Sequence, residues 1–152
     1  MTWKSAVAGL PLGGGKGVIV VRPDEPLTGA RRRDALLDFG DTVAALDGAY
    51  VTAEDVGTDT SDMTVIAERT PHVTGIAVDR GGSGDPSPST ARGVLRAIEA
   101  ALEHTTGNPS PQGRRVAVVG LGHVGLPLAR GLAAAGAELL VADISPARRA
   151  DA

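Results

Sequence analysis

The 15 cationic side chains of this 152-residue chain include only two lysines, Lys4 and Lys16; the rest are arginine. Arginine stays charged at physiological pH, whereas a lysine in the right surroundings exchanges a proton, so sparing use of lysine draws attention to both positions. Chance placement on a solvated face is the plain alternative. Lys16 ends the run Leu12-Gly13-Gly14-Gly15-Lys16, just before the apolar segment Val18–Val21. Asp55 follows a second strand-like segment, 49–53, in a turn rich in small and polar residues. Neighbouring strand ends would bring Lys16 and Asp55 together as a proton-transfer pair. The glycine run is not a nucleotide phosphate loop: Leu10 stands where the upstream glycine belongs, and Gly17 where Ser or Thr must follow the lysine.

A second constellation is Gly120-Leu121-Gly122-His123-Val124-Gly125, a G-x-G-x-x-G pattern. It follows the expected strand Arg115–Val119 and opens an amphipathic stretch, 126–135, that Gly136 ends; a second strand, 138–142, then leads to Asp143. This is the context that a dinucleotide fingerprint requires. The first glycine permits the tight turn, the second admits the pyrophosphate, and the third lets helix pack on strand. The helix N-terminus offers N–H donors to the phosphates. Asp143 would accept the ribose hydroxyls and repel a 2′-phosphate, which favours NAD over NADP. His123 occupies a variable position of the motif and is assigned no role of its own.

The elements around these motifs are legible from periodicity. Residues 1–8 read as the end of a helix. Leu36, Phe39, Val43 and Leu46 mark one face of a helix over 30–47, whose arginines 31–33 read as its solvated start. Residues 61–69 form a short helix capped by Asp59, Thr60 or Ser61. Further strands are expected at 18–21, 49–53 and 73–78. A polar, flexible stretch, 81–89, is the best domain boundary. Beyond it a helix over 90–104 turns Val94, Ile98, Ala101 and Leu102 inward.

Composition excludes several classes. The net charge of −3 offers no basic face for nucleic acid, and the aromatic content of 2% leaves no base-stacking platform. Without cysteine there are neither disulfides nor thiolate metal sites, and no metal centre is expected. No apolar run is long enough to span a membrane, so a cytoplasmic chain is expected. Residues 1–88 carry net charge −5 and residues 89–152 net +2, the second sign suiting an anionic cofactor.

The segments Met1-Thr2-Trp3-Lys4, Gly13-Gly14-Gly15-Lys16, Thr52-Ala53-Glu54-Asp55-Val56-Gly57-Thr58 and Ser83-Gly84-Asp85-Pro86-Ser87-Pro88, in that order, resemble the glutamate/leucine/phenylalanine/valine dehydrogenase family. The third and fourth look most like its leucine/valine branch. The resemblance implies oxidative deamination of a branched-chain L-amino acid to its 2-oxo acid and ammonia, with NAD taking the hydride. It implies that Lys4 holds the α-carboxylate, Lys16 activates water, and Asp55 shuttles a proton to and from the amino nitrogen. Ala53 would border the side-chain pocket, and Thr90 would lie near the nicotinamide. Gly120, Leu121, Gly122, His123, Val124, Gly125 and Asp143 would form the cofactor turn.

The expected fold is α/β: a partial substrate and dimerisation domain over 1–88, then the first βαβ part of a Rossmann NAD-binding domain over 89–152. Against that family the chain is short at both ends, so a fragment is expected, with a homo-oligomer formed by the full-length protein. The alternative function is a catalytically inactive chain acting as a dinucleotide- or partner-binding module. A glutamate-specific NADP enzyme would need a cation for the substrate side chain, and the sequence identifies none.

Overall fold

A computed structural model describes residues 2–151, and the chain divides into two compact units, Met1–Asp85 and Pro86–Ala152. The first is built on helices. Helix α1 (Thr2–Val7) carries Lys4 in its last turn and leads to Gly9, whose φ of +68° suits glycine. Helix α2 (Gly29–Ala45) buries Leu36 and Val43 and half-buries Phe39. Leu46, expected on the same face, lies beyond the helix end and is exposed. Helix α3 (Thr60–Ile66) packs against α2 and buries Met63 and Ile66. Gly40 makes that approach possible, since a methyl group there would lie 3.1 Å from the Ile66 carbonyl oxygen. Leu36, Met63, Ile66 and Val73 form the core, with Ile19, Phe39 and Ile76 packed on it.

Asp59 caps α3. Its carboxylate accepts the N–H groups of Ser61 and Asp62 and the Ser61 hydroxyl, while Asp62 accepts the Asp59 N–H in return. The Ser61 hydroxyl above all, then the two backbone donors, holds the Asp59 carboxyl below the usual carboxylate range. A depressed native pKa stabilises the fold above the unfolded-state value, and that contribution is lost as pH falls through the native one. Asp59→Ala is therefore expected to cost about 1 kcal/mol at neutral pH, the usual worth of an N-cap. In urea titrations the gap between wild type and variant should narrow below roughly pH 4; a gap independent of pH would contradict the capping role.

Three expected strands do not form. Residues 18–21 are not the buried strand expected: Ile19 packs on the core while Val18, Val20 and Val21 are exposed, and no strand among the described residues lies alongside to receive their backbone hydrogen bonds. Segments 49–53 and 73–78 meet only at a parallel bridge between Thr52 and Val73. There the Thr52 N–H donates to the His72 carbonyl and the Thr74 N–H to the Thr52 carbonyl. An apolar run supplies a candidate strand, but a ladder needs a neighbour of matching length. The stretch 81–89, expected to be a flexible linker, is folded: the Gly82 and Gly84 N–H groups donate to the Ala77 and Ile76 carbonyls, and Ser87 already belongs to the next helix.

The second unit is α/β. Helix α4 (Ser87–Thr106) starts at a Pro86 cap with proline in its first turn and stops at Gly107. It buries Ala91 and sets Leu95 and Ile98 against the second core; Val94 and Ala101, expected inward, are exposed. Strand β1 (Arg115–Val119), helix α5 (Gly125–Ala134) and strand β2 (Glu138–Ala142) make a parallel βαβ unit. Val118, Leu121, Ala129 and Leu132 are its centre. The opposite sheet face is open, with Val119 and Leu140 exposed. A short helix, α6 (Pro146–Ala150), capped by the Ser145 hydroxyl, was not foreseen. No helix among the described residues is long and apolar enough to cross a membrane.

Candidate active site

In the first unit, the glycines around Lys16 are needed for packing. A methyl group on Gly15 would lie 2.8 Å from the Tyr50 ring, and one on Gly17 2.6 Å from the Phe39 ring. The Gly17 N–H donates to the Tyr50 hydroxyl at 3.0 Å. Two aromatic rings thus hold the backbone on either side of Lys16, and its ammonium forms an ion pair with Asp55 Oδ2. Both side chains are about half exposed, at 56% and 54%.

Asp55 is fixed from its own side. Its N–H donates to the Thr58 hydroxyl at 2.9 Å, the Thr58 N–H returns to the Asp55 carbonyl, and the Val56 N–H donates to Asp55 Oδ1 at 2.8 Å. Arg32 secures the turn from α2. Its Nη2 donates to the Gly57 carbonyl at 2.6 Å and to Asp62 Oδ2 at 2.5 Å, while Nε donates to Asp62 Oδ1 at 2.9 Å. The arginine run is therefore not simply solvated: Arg32 grips a buried carboxylate, and Arg33 pairs with Glu68 at 2.7 Å.

Lys16, Asp55 and Ala53 line one cavity of about 420 Å3 whose remaining wall is mostly apolar, including Ile19, Leu36, Phe39, Met63 and Ile66. Such a space takes an aliphatic group and presents an ammonium–carboxylate pair to its polar end. Lys4 does not line it and stands exposed on α1. Tyr50 and the Arg32–Asp62 pair were missed at the sequence level. Only the isolation of Tyr50 as the sole tyrosine was available as a signal, and nothing marked Arg32 apart from its neighbours.

In the second unit, the turn joining β1 to α5 has the geometry its glycines suggest. Gly120 has φ +93° and donates to the Ala142 carbonyl at 2.7 Å. A methyl group on Gly125 would overlap the Gly120 carbonyl. Space above Gly122 is open apart from a guanidinium nitrogen of Arg148, and the first turn of α5 has no side-chain cap. Open backbone before an uncapped helix start fits a phosphate group. Asp143 accepts the Leu121 and Ser145 N–H groups, each at 2.7 Å. The Ser145 and Leu121 amides hold its carboxyl below the usual range. Leu121 is buried, His123 is exposed and Val124 stands at the cap position of α5. Thr90, in the first turn of α4, is exposed and donates its hydroxyl to the Pro86 carbonyl.

Residues 1–72 match the family model described as Glu/Leu/Phe/Val dehydrogenase, dimerisation domain. Leucine dehydrogenase of Geobacillus stearothermophilus is 47% identical over 145 residues, 95% of this chain and 38% of that protein. Valine dehydrogenase of Streptomyces virginiae is 44% identical over 144 residues, again 95% of this chain and 39% of the relative. Among solved structures, L-tryptophan dehydrogenase from Nostoc punctiforme superposes with TM-score 0.64 at 34% identity, over 99% of this chain and 40% of that one. The leucine-bound hetero-hexameric glutamate dehydrogenase from Thermus thermophilus superposes with TM-score 0.76 at 29% identity, over 93% of this chain and 36% of its own. The chain thus spans about two fifths of the length of the proteins it resembles.

Proposed function

The chain belongs to the Glu/Leu/Phe/Val dehydrogenase family, in its leucine/valine branch, and from that premise we propose that it carries the catalytic segment of an NAD-dependent dehydrogenase of branched-chain L-amino acids. The reaction is oxidative deamination to a 2-oxo acid and ammonia. The observation that carries this reading is the Lys16–Asp55 ion pair at the rim of a largely apolar cavity.

Each residue has a task in that reaction. The family resemblance gives the substrate α-carboxylate to the Lys4 ammonium, which is exposed on α1 and outside the cavity lining. Once the α-hydride has left the substrate, Lys16 Nζ polarises the water that adds across the substrate's C=N bond and stabilises charge on the carbinolamine oxygen until ammonia departs. Asp55 Oδ2, already paired with that ammonium, relays protons between it and the leaving amino nitrogen. Ala53 keeps the side-chain space open. In the second unit, residues 120–125 and Asp143 would hold NAD, with Thr90 towards its nicotinamide; when bound, NAD supplies the hydride acceptor. The βαβ unit is then the start of a Rossmann domain. The family model's description and the hetero-hexameric neighbour support an oligomer, and assembly from identical chains is part of the proposal.

The apolar wall argues for aliphatic substrates. Among the described residues that line the cavity, Lys16 is paired with Asp55 and Arg32 with Asp62, so neither offers a spare charge to a substrate carboxylate. NAD reduction by the protein should therefore run with leucine, valine and isoleucine at a kcat/KM at least roughly tenfold above that with glutamate, since an unpartnered carboxylate in such a pocket is penalised. Equal use of glutamate would overturn the substrate class. NAD binding with no turnover of any amino acid would leave the binding-module reading.

A further inference from the structure

Lys16 is held at two points by a single stretch of chain. Residues 13–21 belong to no helix or strand. Among the described residues, the one hydrogen bond they make is that of the Gly17 N–H to the Tyr50 hydroxyl, at 3.0 Å. The polar end of Lys16 is tied separately, by its ion pair with Asp55. Tyr50 and Asp55 lie on either side of Thr52, which anchors their segment through its bridge to Val73 and its N–H bond to the His72 carbonyl.

The ion pair does not fix Lys16 by itself. Both partners are half exposed, and such a pair gains little over water while the long lysine stem loses entropy in one geometry. Where the ammonium stands therefore depends on where its backbone is held. A methyl group on Gly15 would lie 2.8 Å from the Tyr50 ring, and one on Gly17 3.2 Å from the Tyr50 oxygen, so ring and hydroxyl meet the chain on both sides of Lys16. Phe39 also packs on Gly17 but brings only carbon. Tyr50 lines the same cavity as Lys16 and Asp55. Removing its oxygen alone keeps the ring under Gly15 and leaves the half-buried Gly17 N–H without its acceptor.

We propose that Tyr50 is the positioning residue for Lys16: its hydroxyl sets the backbone so that the ammonium meets Asp55 at the cavity, and it acts on the reaction only through that lysine. The role rests on the dehydrogenase reading and deepens it. The test is Tyr50→Phe, read in two ways. The first needs no turnover. The chain has two lysines, so acetic anhydride labelling at a fixed pH, followed by peptide mass mapping, reports Lys16 against the exposed Lys4 as internal reference. Tyr50→Phe should raise the Lys16-to-Lys4 labelling ratio by roughly two- to tenfold, the range over which one neutral hydrogen bond moves an equilibrium, because the ammonium spends less time paired. The second readout is kinetic. For leucine, kcat should fall by about tenfold or more, as slight misplacement of a reacting group allows, with KM within about twofold of wild type. In a Lys16→Ala background the same substitution should add no further loss, since residues that act through one another are not additive. An unchanged labelling ratio in a folded Tyr50→Phe protein overturns the proposal. So does an equal kcat loss with and without Lys16, which would put Tyr50 in direct contact with substrate. Absence of turnover in wild type removes the dehydrogenase reading, and labelling alone then decides whether Tyr50 holds Lys16.

Discussion

Lys16→Ala is expected to lower turnover of leucine by about 10²–10⁴-fold, the range for removing a positioned proton-transfer group. The geometry argues that the loss is chemical rather than structural. The Lys16 side chain is half exposed, and its loop is held by backbone and ring contacts to Tyr50 and Phe39 that the substitution does not touch. The melting temperature should therefore barely move. Lys16→Arg separates charge from proton exchange, because a guanidinium keeps the ion pair with Asp55 but does not give up its proton. That variant should be nearly as inactive as alanine. Turnover near wild type in Lys16→Arg would show that only the positive charge matters and would remove Lys16 from the proton relay. Asp55→Asn, which leaves the lysine without its carboxylate, should fall in the same range.

Legibility followed the range of the interactions. The βαβ unit was readable because its signals are local: a β-branched run, glycines where the backbone must turn, and an apolar helix ended by Gly136. The expected β1 and β2 bounds match those observed. Residues 18–21 carry an equally strong apolar signal and form no strand, because pairing depends on a neighbour that the local sequence does not specify. Sequence brought Lys16 and Asp55 into one hypothesis through the shared logic of strand ends, and the structure joins them through an isolated bridge and a turn instead. The supporting residues were invisible for the same reason. Arg32 and Asp62 are 30 positions apart, and an arginine between two others on a helix start looks like solvent-facing charge.

That hidden pair carries the second large effect. Arg32→Met should destabilise the first unit by about 3 kcal/mol, at the lower end of what breaking a buried ion pair costs. Asp62 has a side chain only 6% exposed and would be left charged without its guanidinium, although the Asp59 N–H still donates to it. Arg32 is itself 36% exposed, so water offsets part of the loss and keeps the figure from the upper end. The double variant Arg32→Met, Asp62→Leu removes the orphaned charge and should be more stable than Arg32→Met alone in urea unfolding, despite losing half of the α3 capping box. A double variant no better than the single would mean that the guanidinium acts by packing alone. Catalysis should respond as well. Arg32 also donates to the Gly57 carbonyl, inside the turn whose hydrogen bonds fix Asp55. The double variant should therefore regain stability without regaining turnover, since methionine cannot hold that carbonyl. Recovery of both together would place Arg32 in the fold and not in the positioning of Asp55.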